Sequence, residues 1–310
     1  MSSVAAPSAL DQRLSRLLWL SVAAALATIT LKTVAWRLTN SVGLLSDAAE
    51  SVVNLVAAVV ALGALRWAAK PADEEHAYGH TKAEFFSAGI EGAMIMLAAV
   101  TIAVSAISRL QHPQPLSDVG IGLAVSVAAS LINLAVGLLL VRAGREHRSI
   151  TLEADGRHLL TDVWTSVGVV AGVAAVAISG FERLDAIVAL VVALNIVRTG
   201  VSLVRRAAGG LMDRAVDDAA RAQIEDVLAA FGSRGVQFHA LRTRQAGRRA
   251  FVSVHLLVPG EWTVRRGHDV AEEVEAALHA RLPYVTVFTH VEPLEDPRSF
   301  DDVSLDRAPS

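Results

Sequence analysis

The sequence predicts a membrane protein of six transmembrane helices followed by a small α+β domain. Three observations carry that expectation. Apolar residues make up 53% of the 310 residues and the mean hydropathy is +0.45, too apolar for an ordinary soluble protein. These residues gather in long blocks between Leu17 and Val204, whereas the chain beyond Asp213 has a soluble composition. Metal-capable pairs also recur at helical spacing inside the apolar blocks. They are His158 with Asp162 in ADGRHLLTDVWTSVGVV, and Glu50 with Asn54 in SDAAESVVNLVAAVV. Residues four apart share one face of a helix, so each run points two ligands in one direction.

A membrane span needs about 20 mostly apolar residues. Six stretches qualify: 17–38, 42–68, 85–109, 118–141, 157–179 and 184–204. Between them lie the polar loop PADEEHAYGH, the proline-rich QHPQP that cannot continue a helix, the basic RAGREHRS and the short SGFER. The cations fix the orientation. Arg13, Arg16, Arg66, Lys70, Lys82, Arg142, Arg145, Arg148, Arg205, Arg206 and Arg214 fall on one side of a six-span arrangement, and Arg37, Arg109 and Arg183 on the other. The crowded side is expected to be cytoplasmic, with both termini there. Residues 1–16 carry no signal-cleavage pattern and are expected to remain as a cytoplasmic tail.

Beyond the spans of residues 17–208, the segment 209–296 changes period. Asp217–Ala230 and Thr263–Leu282 read as amphipathic helices, and Val236–Thr243, Phe251–Val258 and Val285–Glu292 as strands. The order αββαβ predicts a ferredoxin-like layer of helices on one sheet face. Residues 297–310 are polar and read as a flexible tail.

The composition also excludes functions. A net charge of -3 argues against a nucleic-acid partner, and the lack of cysteine removes disulfides, thiolate metal sites and iron–sulfur clusters. Any metal must be held by His, Asp, Glu, Asn or backbone oxygen. In the loop after the second span, Asp73, His76 and His80 have a D-x2-H-x3-H spacing that can close on one cation. In the C-terminal domain His239 lies on the first strand and His255 on the second. His290 and Glu292 share a face of the third, and His268 sits near the start of the second helix. The chain has only ten histidines, so this density is high. Glu91 and Lys32 receive no role. Asn133 and Asn195, like Asn54, have helix–helix hydrogen bonding as a competing use.

From Leu17 to Pro293 the chain resembles the cation diffusion facilitators, most closely the bacterial ferrous-iron and zinc exporters that form Y-shaped homodimers. LLSDAAESVVN, PADEEHAYGHTKAEFFSAGIEG, EADGRHLLTDVWTSVG, GLMDRAV and HALRTRQAG carry the resemblance. It implies proton-coupled export of Zn(II) or Fe(II) across a bacterial inner membrane, with the metal also acting as regulator. It further implies a transport site at Glu50, Asn54, His158 and Asp162, and a loop site at Asp73, His76 and His80. A cytoplasmic binuclear site would lie at His239, His255, His268, His290 and Glu292. Lys82 and Asp213 would form a charge pair linking subunits. One departure stands out: where the family usually has Asp or His and then Asp, this chain has Glu50 and Asn54, a less anionic set that also leaves Mn(II) or Co(II) open. An intramembrane metalloenzyme is the competing class, but no HExxH pattern is present. A metal sensor would leave the intramembrane acids unexplained.

Overall fold

The computed structural model describes residues 9–39, 42–111, 119–179, 183–301 and 303–304. The side chains of 35–36, 38–39, 42–50, 53–54, 109, 119–123, 126, 169–179 and 184–185 lie outside that description. The chain divides into two compact units, Met1–Ala208 and Gly209–Ser310.

The first unit is built from long helices: α1 Ala9–Thr39, α2 Val42–Ala68, α3 Ala83–Gln111, α4 Val119–Glu146, α5 Ile150–Ser179 and α6 Arg183–Leu211. Four described segments are long and apolar enough to cross a membrane: Ala9–Val34, Ala83–Ser108, Val127–Glu146 and Ala186–Leu211. In α2 the described apolar stretch is the shorter Leu55–Ala68. In α5 the first half is interrupted by Glu153, Asp155, Arg157, His158 and Asp162. α1 also reaches back to Ala9, so part of the segment read as a tail is helical.

Two apolar clusters hold this unit together. Leu14 and Leu18 of α1 meet Ala61, Leu62 and Leu65 of α2, Val136 and Leu140 of α4, and Leu152 and Leu159 of α5. Ala88, Ile95 and Ala99 of α3 meet Ala154 of α5 and Ile196, Leu203 and Ala207 of α6. Small residues set the spacing, because lipid offers apolar side chains no less than a neighbouring helix does, and close packing must supply the attraction. A Cβ on Gly156 would stand 2.8 Å from the Gly137 carbonyl oxygen and 2.8 Å from the Val141 nitrogen. One on Gly200 would stand 2.6 Å from Met96 Cγ and 3.0 Å from the Gly92 carbonyl oxygen. The α4–α5 and α3–α6 crossings are thus built on absent side chains.

The second unit runs α7 (Asp218–Ala230), β1 (Gln237–Ala246), β2 (Arg249–Val258), α8 (Val264–Arg281) and β3 (Val285–Pro293). Asp217 caps α7 by accepting the Ala220 N–H, and Thr263 caps α8 by accepting that of Arg266. β2 is central, antiparallel to β1 and parallel to β3, as a helix between β2 and β3 allows. Alternation divides the sheet into two faces. Ala250, Val252, Val254, Leu256 and Val258 join Ile224, Leu228, Val274 and Leu278 in the core. Phe251, Ser253 and His255 point the other way. The segment read as a flexible tail begins in order: Pro297–Phe300 forms a 3-10 turn, Ser299 is buried, and Arg242 donates to the carbonyls of Val303 and Ser304.

The α4–α5 contact yields a direct expectation. Gly156→Ala forces a methyl into the Gly137 backbone and should lower stability by about 1–3 kcal/mol, the usual cost of overpacking. Thermal melts of the detergent-solubilised protein check this, and an unchanged melting temperature would show that the two helices part without cost.

Candidate metal centres

The sheet of the second unit lines up three histidines. In the strand register His239 pairs with His255, and His255 pairs with His290, so one rung of imidazoles crosses all three strands. A bulge after His239 makes this possible. Ala240 has a positive φ of 48°, and the register shifts between His239 and Arg242. Two residues beyond His290 on the same face, Glu292 is buried and draws the rung together. Its Oε2 lies 3.0 Å from His239 Nε2 and 3.0 Å from His255 Nδ1, while Oε1 lies 3.5 Å from His290 Nε2. Ligand atoms of His239, His255 and Glu292 fall within 4.8 Å of one another. One carboxylate oxygen thus faces two imidazoles and the other faces the third, a set able to hold or bridge borderline cations. His268 stands apart: it lies on α8, which packs on the other sheet face, and its nearest acidic neighbour is Glu272 at 3.9 Å. Sequence spacing gave no sign of Phe300, whose ring packs edge-on to His239 at 5.6 Å.

The loop between α2 and α3 closes on a second constellation. The His76 backbone N–H donates to Asp73 Oδ1 at 2.7 Å, and Gly79, at φ 83°, turns the chain so that His80 returns. His76 Nδ1 and His80 Nε2 each lie 3.2 Å from the Asp73 carboxylate. His80 Nδ1 donates to the Pro71 carbonyl at 3.1 Å, which leaves Nε2 as the ligand-bearing nitrogen. Desolvation pushes the Asp73 carboxyl up, but the His76 N–H and ring and the nearby His80 outweigh it and hold the group below its usual range. His80 is buried, whereas Asp73 and His76 face solvent.

In the helical unit His158 is 3% exposed and Asp162, one turn further along α5, is half-buried. Buried Asn133 of α4 donates through Nδ2 to Asp162 Oδ2 at 3.3 Å. Asn133 therefore positions the carboxylate, a role that a lone amide in an apolar run does not announce. Glu50 and Asn54 belong to α2, and their side chains lie outside the described residues. Lys82 falls in the first unit and Asp213 in the second. Within its own unit Asp213 accepts from Arg244 at 3.2 Å.

Comparison with known proteins agrees with this division. Residues 18–212 match the family of cation efflux transmembrane domains, and residues 216–294 match the cytoplasmic domain of cation efflux proteins. An uncharacterised transporter of Synechocystis sp. is 50% identical over 281 residues, 91% of either chain. The cation-efflux pump FieF of Serratia proteamaculans is 35% identical over 274 residues, 87% of this chain and 90% of that one. FieF of Shewanella oneidensis is 31% identical over 275 residues, 89% and 92% of the two chains.

The convergence on Glu292 generates a prediction. A metal that binds only the folded sheet stabilises it by mass action, by about 2.7 kcal/mol at a hundredfold excess over Kd. Hydrogen exchange across 237–258 and 285–293 should slow when Zn(II) is added, and Glu292→Gln should remove most of that protection. Equal protection in the variant would show that the carboxylate is not a ligand.

Proposed function

The chain belongs to the cation efflux family, the cation diffusion facilitators, and from that premise we propose that it exports Zn(II) or Fe(II) from the cytoplasm in exchange for protons. It does so by alternating access, as a homodimer in a bacterial inner membrane, with six spans and both termini in the cytoplasm. The observation that carries the reading is the burial of His158 with Asp162 one turn away in the first half of a long helix whose second half is apolar. Ionisable groups are costly at such depth and mark ion paths. α2 brings Glu50 and Asn54 to the same unit, and its described residues Ala61, Leu62 and Leu65 pack with Leu152 and Leu159 of α5. Two carboxylates, an imidazole and an amide oxygen make a four-ligand set for a divalent ion.

Proton exchange follows from the ligands' own chemistry. Imidazole and carboxylate must lose protons before they bind metal, so metal and protons compete for one site. A site that opens in turn to each face then couples outward metal to inward protons. The second unit serves as dimer contact and metal-dependent regulator. Its uncovered sheet face presents the stacked rings of Phe251 and Phe288, the latter 47% exposed, which supports a contact with a second copy. The histidine rung with Glu292 lies on that same face, and His268 is available to a site completed by the partner. The loop set of Asp73, His76 and His80 is a further metal site, and Lys82 with Asp213 links the subunits.

Proteoliposomes loaded with a metal-sensitive dye test the proposal across Zn(II), Fe(II), Mn(II) and Co(II). Asp162→Ala should lower flux by at least about tenfold, which is only some 1.4 kcal/mol of lost cation stabilisation, while leaving a folded dimer. Flux near the wild-type rate would remove Asp162 from the transport site.

Coupling has its own test. Histidine titrates near pH 6.5 in water, so a modest pH gradient spans the range in which an imidazole ligand changes state. Acidifying the far side should speed export, and metal release should drive measurable proton uptake. Flux indifferent to an imposed pH gradient would favour a uniporter.

A further inference from the structure

Two carboxylates buried in the helical unit lie outside the ligand sets described above. Glu91 of α3 is fully buried and Asp155 of α5 is 1% exposed. Glu91 shares a helix face with Ala88 and Ile95, which pack against Ala154, the residue just before Asp155. The N-terminal ends of α3 and α5 are joined, since Ser149 Oγ donates to Glu84 Oε2 at 2.5 Å and Thr151 Oγ1 to the Glu84 carbonyl at 3.4 Å. At about 1.5 Å of rise per residue, Glu91 and Asp155 therefore both sit one to two turns into the bundle. Their charges are close enough to act on each other, and that of His158 acts on Asp155.

Hydroxyls line the same place. Ser87 Oγ donates to Glu91 Oε1 at 3.0 Å. Ser21 of α1, itself fully buried, is turned toward Asp155 without reaching hydrogen-bond geometry. Among the described residues, Glu91 Oε2, both Asp155 oxygens and the Ser21 hydroxyl have no hydrogen-bond partner. No lysine or arginine among the described residues acts on either acid. Arg157, two residues along α5, is held by Glu153 at 2.9 Å. Buried carboxylates with hydroxyls but no cation beside them carry a large desolvation cost when ionised, which a bound cation removes.

We propose that Glu91 and Asp155, with the hydroxyls of Ser21 and Ser87, form a second divalent-cation site inside the helical unit. Asp155 lies about one helix turn from His158 and about two from Asp162, on the side of the N-terminal ends of α3 and α5. Its donors are all oxygen, so it suits Mn(II), Fe(II) or Zn(II) bound with part of the hydration shell retained. Its role as a waiting position for the exported ion rests on the transport reading; its capacity to bind does not.

The test counts Zn(II) bound per chain at saturation, by elemental analysis, for the full-length protein in lipid nanodiscs. Glu91→Gln and Asp155→Asn should each lose the same equivalent, about one per chain, because each removes a deprotonated ligand. Asp162→Ala should lose a different one, and Glu91→Gln combined with Asp162→Ala should lose both. Full stoichiometry in the two amide variants overturns the site, as does a double variant that loses no more than Asp162→Ala alone. In metal-free buffer Glu91→Gln should melt close to the wild type, since the amide keeps the shape of the acid and an oxygen to accept from Ser87. A markedly lower melting temperature together with the lost equivalent would mean that the amide disrupts the bundle and does not simply remove a ligand, and would overturn the proposal. If Asp162→Ala transports normally while Glu91→Gln loses an equivalent, the transport ligand set fails and the second site stands.

Discussion

Every ionisable group in the helical unit must be solvated, paired or bound to a cation in a medium that offers little water. That constraint orders the rest of the unit. Glu153 meets it with guanidinium groups, Arg157 at 2.9 Å and Arg206 at 3.0 Å, and so ties α5 to α6 near the ends of the helices. Glu84 meets it with the Ser149 hydroxyl. Further along α5 and α3, Asp155 and Glu91 have no such guanidinium partner among the described residues. Along α5 the partners change within a few residues, from the guanidinium groups at Glu153 to the Asn133 amide at Asp162.

Precise placement of those acids depends on how closely the helices approach. With glycine at 137 and 156, and again at 92 and 200, backbone meets backbone, and rotation or sliding at those crossings has few side chains to disturb. Such contacts hold a helix pair in register while leaving few interlocked side chains to resist a change of angle, as the alternating access proposed above would require. In the C-terminal domain precision comes from the sheet. Register places the three histidines on one rung, and the bulge at Ala240 decides that His239 is the residue of β1 on that rung.

Period and chemistry explain what was legible in the sequence. Six long helices, of which four described segments are membrane-length and apolar, the αββαβ order and the in-phase pair His290 and Glu292 follow from spacings of twenty, 3.6 and two residues, which sequence displays directly. Three-dimensional neighbours do not. Asn133 is a lone amide in an apolar run, and its bond to Asp162 joins helices 29 residues apart in the chain. Glu91 and Asp155 become a pair only once α3 and α5 are laid side by side. His268 has the right residue type and domain, but α8 carries it to the sheet face opposite the histidine rung. The tail residues Ser299 and Phe300 were read as loose because their composition is polar, yet the Ser299 hydroxyl donates to the Pro293 carbonyl and ties the chain down.

The candidate centres also differ in burial in a way that bears on their tasks. In the loop set two of the three candidate ligands are exposed, so water would reach a bound ion and exchange should be fast. In the histidine rung His255 and Glu292 are buried, while the His290 side chain is 64% exposed, leaving one side open to a partner or solvent. In the helical unit His158 is nearly sealed, and an ion there exchanges only when the helices move. Desolvation strengthens metal–ligand attraction and slows release together, because the same loss of competing water produces both. An exporter needs tight capture on one face and release on the other. On the export mechanism proposed above, a sealed site requires a trigger for release, and protons competing for His158 and its carboxylate neighbours would supply one by occupying the ligand atoms that hold the ion.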